Sequence, residues 1–160
     1  GIKGMQASLE NMVSGMRQEQ MVGGANLVGK KVVLEGGSFI GGNGSESSGK
    51  INLPESADSV SFSIYNTQTG DLVYSQTYSD VDAGLQDLKW NGRGPQGELV
   101  PYGSYAMTAS ANVDGKFTPL QVTTTAEVKS VKWNPQLQQL SLEIAEGIYI
   151  PLGAVERISN

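Results

Sequence analysis

The sequence contains no cysteine and no histidine. Without cysteine there are no disulfides, thiolate nucleophiles, zinc ribbons or iron–sulfur clusters. Without histidine there is no Ser-His-Asp triad and no imidazole acid–base chemistry, and most transition-metal sites lose their commonest ligand. Charge is scarce as well: 17% of the 160 residues are charged, with a net charge of −5. Nucleic-acid binders carry a basic patch. Here the basic residues are scattered, and Lys30-Lys31 is the only adjacent pair. No apolar run approaches the roughly 20 residues of a membrane-spanning helix. Neither nucleic acid nor a membrane is therefore an expected partner.

What is abundant is glycine, 21 of 160 residues, about double the usual ~7%. That points to many turns and hence to β structure. The first 22 residues are different. Met5, Leu9, Met12 and Met16 are spaced by 4, 3 and 4, the pattern of an amphipathic helix, and Gly23-Gly24 reads as its stop. A methionine-rich face is adaptable; it suits either packing on the chain's own domain or self-association. The segment Asn26 to Leu34 then turns into a short strand. Gly36 to Lys50 holds six glycines and four serines, reads as poor in core-facing residues, and is expected to be a mobile loop or a strand pair with long turns.

From Ile51 onward the period is two. Val60, Phe62 and Ile64 alternate with Ser59, Ser61 and Ser63, and Asn66 to Gly70 forms a hairpin turn. Leu72 and Tyr74 share a face of the return strand, and Asp80 to Gly84 makes the next turn. Leu85, Leu88 and Trp90 form a short apolar segment. Trp90 to Gly97 is a turn cluster. Tyr105, Met107, Ala109, Ala111 and Val113 then line one face of a strand ending at the Asp114-Gly115 turn. Val122, Thr124, Ala126 and Val128 alternate next, followed by Leu140, Leu142 and Ile144. No helical pattern follows residue 25, so the expected fold is an all-β sandwich or small barrel with an N-terminal α-helix.

Chemistry is hard to find in this chain. Asp80 and Asp82 resemble the start of a calcium loop, but the closing glutamate is missing and that position is Asn91. Gly92, Gly94 and Gly97 spell G-x-G-x-x-G. A phosphate-binding version must follow a buried strand and open a helix, and Pro95 and Pro101 prevent one here. Trp90, Tyr102 and Tyr105 read either as a sugar-stacking platform or as sandwich core. In the core reading the Tyr105 hydroxyl bonds back to a nearby carbonyl, as in a tyrosine corner. No catalytic residue, cofactor site or metal site is assigned, and the protein is not expected to be an enzyme.

The segment Leu88-Lys89-Trp90-Asn91-Gly92-Arg93-Gly94-Pro95-Gln96-Gly97, followed by Val100-Pro101-Tyr102-Gly103-Ser104-Tyr105, has a distinctive spacing. It resembles the W-[DN]-G-x-x-x-x-G…P-x-G-x-Y signature of the bacterial flagellar hook-capping family, also called hook assembly scaffold proteins. Ala25 to Val32 resembles the L-[IV]-G-[KR]-x-V segment that precedes that family's β region. The signature residues are Trp90, Asn91, Gly92, Gly97, Pro101, Gly103 and Tyr105, with Asn91 standing where an acid is common.

The resemblance implies a Tudor-like small β-barrel interrupted by an inserted fibronectin III- or immunoglobulin-like β-sandwich. Residues 1–24 would be the helix, 25–50 plus 121–160 the split barrel, and 51–120 the insert. It also implies an oligomeric cap at the distal end of the growing hook, exported by the flagellar type III apparatus and contacting hook subunits and itself. The chain would then be the C-terminal part of a longer protein. Met5, Leu9, Met12 and Met16 are the self-association candidates. The rival expectation is a β-sandwich binding module of a surface adhesin or glycan binder.

Overall fold

The computed structural model describes residue 15 and residues 18–159. Met5, Leu9, Met12 and Met16, and with them the proposed self-association face, lie outside the described residues. The described chain is a short helix followed by thirteen strands. It divides into two compact units, Val33–Thr125 and the pair Gly1–Val32 with Ala126–Asn160. The insert that the family resemblance implies, residues 51–120, lies within the first of these units.

The unit Val33–Thr125 is two facing sheets. In the first, β2 (Ser38–Gly41), β7 (Gly103–Val113), β4 (Ala57–Asn66) and β5 (Leu72–Val81) lie in that order, and β8 (Lys116–Leu120) pairs with β7 beyond the end of β2. In the second, β3 (Ser47–Leu53) lies between β6 (Gly84–Trp90) and the start of β9 (Thr123–Glu127). The period-two pattern decides which face each strand buries. On β4, Val60, Phe62 and Ile64 are buried and the serines between them face outward. Antiparallel partners match large to small: Phe62 sits opposite Ala109 and Val60 opposite Ala111. Each such apolar side chain contributes roughly 1.5–3 kcal/mol on burial.

Turn chemistry sets the register. Asn66 Oδ1 accepts hydrogen bonds from the backbone N–H groups of Gln68 (2.9 Å) and Thr69 (3.2 Å) and so closes the β4–β5 hairpin. Asp114 and Gly115 both adopt positive φ, 52° and 82°, the two-residue turn whose twist matches a hairpin.

Three expectations are corrected here. Gly36 to Lys50 does supply a core face: it contains β2 and most of β3, and Phe39 is only 6% exposed. Its glycines admit close neighbours. A Cβ on Gly49 would lie 2.7 Å from Val122 Cγ1 and 2.8 Å from Met107 Sδ. Leu85 does not join Leu88 and Trp90 inside; its side chain is 74% exposed near the start of β6. Leu72 is exposed as well, because a bulge pairs Tyr65 with Leu72 but Ile64 with Tyr74 and breaks the alternation between them.

The second unit contains the helix α1, whose described continuous part covers 18–25, and the meander β10 (Ser130–Asn134), β11 (Gln139–Ala145) and β12 (Ile148–Pro151). β13 (Val155–Ile158) closes the chain, and the N–H of Ser159 donates to the Lys31 carbonyl. β11 is the central strand and is buried on both faces, with Leu140, Ser141, Leu142, Ile144 and Ala145 all inside. α1 runs through Gly23 and Gly24 to residue 25 instead of stopping there. Gly24 is buried, and a Cβ on it would fall 2.2 Å from Leu140 Cδ1. That glycine lets the helix approach β11 and does not end it.

Candidate functional site

The signature residues gather at one end of the sandwich, and their role is architectural. Trp90 ends β6 and Tyr105 lies near the start of β7, each 1% exposed. Their rings meet edge to face at 5.1 Å between centroids. Phe39 from β2 completes the cluster, 5.8 Å from Trp90 and 6.1 Å from Tyr105. Edge-to-face and offset aromatic pairs contribute about 0.5–1.5 kcal/mol beyond their buried area.

Around this cluster the loops are tied by polar groups with fixed partners. The Trp90 indole N–H donates to the Arg93 carbonyl at 2.8 Å, and Asn91 Oδ1 accepts from the Arg93 N–H at 3.1 Å. Asparagine thus supplies the same acceptor that an aspartate would. Arg93 braces the turn through Nη1, which donates to the Gly97 carbonyl at 3.0 Å. The Gly94 N–H donates to the Glu98 carbonyl, and Arg93 and Leu99 form an isolated antiparallel bridge.

The loop between β2 and β3 docks onto this knot. The Gly44 N–H donates to the Gly92 carbonyl and the Asn43 N–H to the Val100 carbonyl. Gly92 has φ 73°, and a Cβ there would lie 2.5 Å from the Ser45 carbonyl oxygen and 2.6 Å from its nitrogen. Both its conformation and its surroundings therefore require glycine. Tyr105 donates its hydroxyl to the Pro101 carbonyl, which realises the expected tyrosine corner. Burial raises the Tyr105 pKa above its ordinary value. Gly103 has ordinary φ and open space around its Cα; nothing in the structure requires glycine there.

The G-x-G-x-x-G run is this turn knot and opens no helix. Trp90 and Tyr105 are core, whereas Tyr102 is 55% exposed, so the three do not form a stacking platform. Asp80 ends the regular part of β5 with φ 54°. Among the described residues no three acidic groups converge to hold a metal ion, and no helix is long and apolar enough to cross a membrane.

Two contributors were not visible in the sequence pattern. Phe39 sits in a glycine- and serine-rich tract with no alternation around it; an isolated Phe39-Ile40 pair was its only signal. Arg93 occupies a free position of the signature, yet its backbone and side chain together hold three of the knot's hydrogen bonds.

Comparison with known proteins agrees with this geometry. The FlgD Ig-like domain model matches residues 37–115, which contain the whole knot. The basal-body rod modification protein FlgD of Escherichia coli K12 is 26% identical over 122 residues, 72% of this chain and 52% of that protein. The chain spans about half the length of the curated relatives it matches. FlgD from P. aeruginosa superposes with a TM-score of 0.64 at 28% identity, covering 83% of this chain and 98% of that structure. FlgD from Xanthomonas campestris, described in terms of hook capping essential for flagellar assembly, gives 0.69 at 25% identity, covering 88% and 99%. Residues 37–115 therefore belong to the FlgD Ig-like domain family, and the chain as a whole is similar to FlgD proteins of the bacterial flagellum.

Proposed function

We propose that the protein is a non-enzymatic scaffold that caps the tip of the growing flagellar hook and promotes assembly of hook subunits beneath it. The observation that carries this reading is the match of the FlgD Ig-like domain over 37–115, with the Trp90–Tyr105 knot inside it. In this reading Val33–Thr125 corresponds to the fibronectin III-like sandwich. The other unit, with β10, β11 and β12, corresponds to the Tudor-like barrel that the sandwich interrupts. The protein is exported through the flagellar type III apparatus and works outside the cell, at the distal end of the hook. A chain without cysteine suits that route, since no disulfide can trap it before passage.

The scaffold acts by holding subunits near their point of addition, which raises their effective concentration. It assembles with copies of itself through Met5, Leu9, Met12 and Met16 at the helical spacing of one face. Deleting the parent gene is expected to abolish hooks, and complementation is expected to restore hooks and motility. Hooks of normal length in the deletion strain would overturn the reading. Met12→Glu with Met16→Glu is expected to lower the mass of the assembled protein in light scattering; an unchanged mass would refute the role given to the helix.

A further inference from the structure

The open edge of the sandwich, formed by the strands that lead into the Trp90–Tyr105 knot, has a second set of features. Among the described residues β5 has β4 as its only neighbour, and β6 has only β3. Edge strands are ordinarily guarded against pairing by lysine, proline, a bulge or short length. β5 is ten residues long and contains neither lysine nor proline. Its bulge lies at the Leu72 end, and Asp80 bends the other end with φ 54°. Between them Tyr74–Ser79 pairs regularly with β4 and offers an unguarded row of backbone groups.

Beside this edge, between β5 and β6, opens a cavity of about 430 Å³. Its apolar wall is Ile51, Val60, Leu88 and the ring of Tyr78, and Gln86 of β6 lines it while donating through Nε2 to the Asp82 carbonyl at 2.9 Å. Its rim carries Asp80, Asp82 and Asp87 against the single cation Lys89. Recognition by strand addition uses these parts: main-chain bonds supply affinity, and pockets for alternate side chains supply selectivity.

We propose that Tyr74–Ser79 accepts an extended strand from a partner protein, one with an apolar side chain for the cavity and a lysine or arginine for the acidic rim. The partner strand is about six residues long, the length of the regular edge. Charge is what selects the occupant. The chain's own basic–apolar run Lys30–Leu34 is already largely paired as β1 (Lys31–Leu34), and the proposed strand comes from a different protein. This inference does not depend on the hook-capping reading and stands or falls separately from it.

The test uses the whole chain, isotope-labelled, titrated with a synthetic octapeptide that alternates valine and threonine and has lysine at both ends. Slowed exchange at alternate amides of Tyr74–Ser79 is expected, with shifts at Gln86 to Lys89 and weaker binding at higher salt. Gln86→Trp fills the cavity, and Asp82→Lys with Asp87→Lys reverses the rim. Each is expected to weaken binding at least tenfold while melting stays unchanged. The rim variant keeps the test decisive if the cavity variant fails to fold. No shifts at millimolar peptide would overturn the proposal, as would equal binding of a glutamate-ended peptide. Concentration-dependent protection of β5 in the free chain, not displaced by peptide, would assign the edge to a second copy and overturn it too.

Discussion

Gly92 and Gly97 stand five residues apart in one turn knot and have similar backbone conformations, φ 73° and 82°. They differ in surroundings. A Cβ on Gly97 meets nothing within 4 Å, whereas one on Gly92 meets the Ser45 backbone at 2.5 Å. Replacing each by alanine therefore separates two reasons for a glycine. Forcing an L-residue into the left-handed region costs about 1–2 kcal/mol, and the stiffer unfolded chain returns about 0.4–1 kcal/mol. Gly97→Ala should thus lose about 1 kcal/mol. Gly92→Ala bears the same cost plus about 1–3 kcal/mol for pushing backbone apart in a packed region, about 3 kcal/mol in all. Urea unfolding followed by the fluorescence of buried Trp90, in a Trp133→Phe background, reads the difference. With a slope of about 2 kcal/mol per molar, the midpoints should fall by roughly 0.5 M and 1.5 M. Equal midpoints, or a larger loss for Gly97→Ala, would refute the argument that the β2–β3 loop docks on the knot through Gly92.

Two further outcomes follow from the same structure. Tyr105→Phe removes the donor to the Pro101 carbonyl and should cost about 1–2 kcal/mol. That is a melting decrease of roughly 5–10 °C for a unit of this size, and an unchanged melting temperature would mean that water replaces the bond. Glu143 has its pKa held below the ordinary 4.5, first by the Gly147 N–H and then by the Ser130 hydroxyl. Its depressed folded pKa means that the stabilisation is present above the ordinary value and is lost as pH falls through the folded one. Glu143→Gln should therefore flatten that part of the acid loss of melting temperature, and an identical acid limb would refute the role given to Glu143.

Much of the fold was legible because a strand with one buried face must alternate. Val60, Phe62 and Ile64 on β4, and Tyr105 to Ala111 on β7, declare their inward face by period alone. Turns were equally readable at Asn66 to Gly70 and at Asp114-Gly115, where positive φ selects particular residues. Phe39 was not readable, because its strand is four residues long and its neighbours are serine and glycine. Leu85 misled because an apolar residue near a strand's start carries no sign of where the opposite sheet ends.

The sequence by itself determined the β character, the turn positions and the Trp90–Gly97 turn cluster, since these rest on local period, on φ and on spacing within one segment. It also excluded cysteine and histidine chemistry outright. Only the tertiary structure decided which distant segments meet. Gly24 reads locally as a helix stop, yet its place against Leu140 makes it a packing residue. Gly36 to Lys50 reads locally as a tract poor in core residues, yet it carries β2 and the loop that seats on Gly92. The physical reason is the same in both cases. A missing side chain leaves no pattern in sequence, and what fills its space comes from a segment distant in the chain.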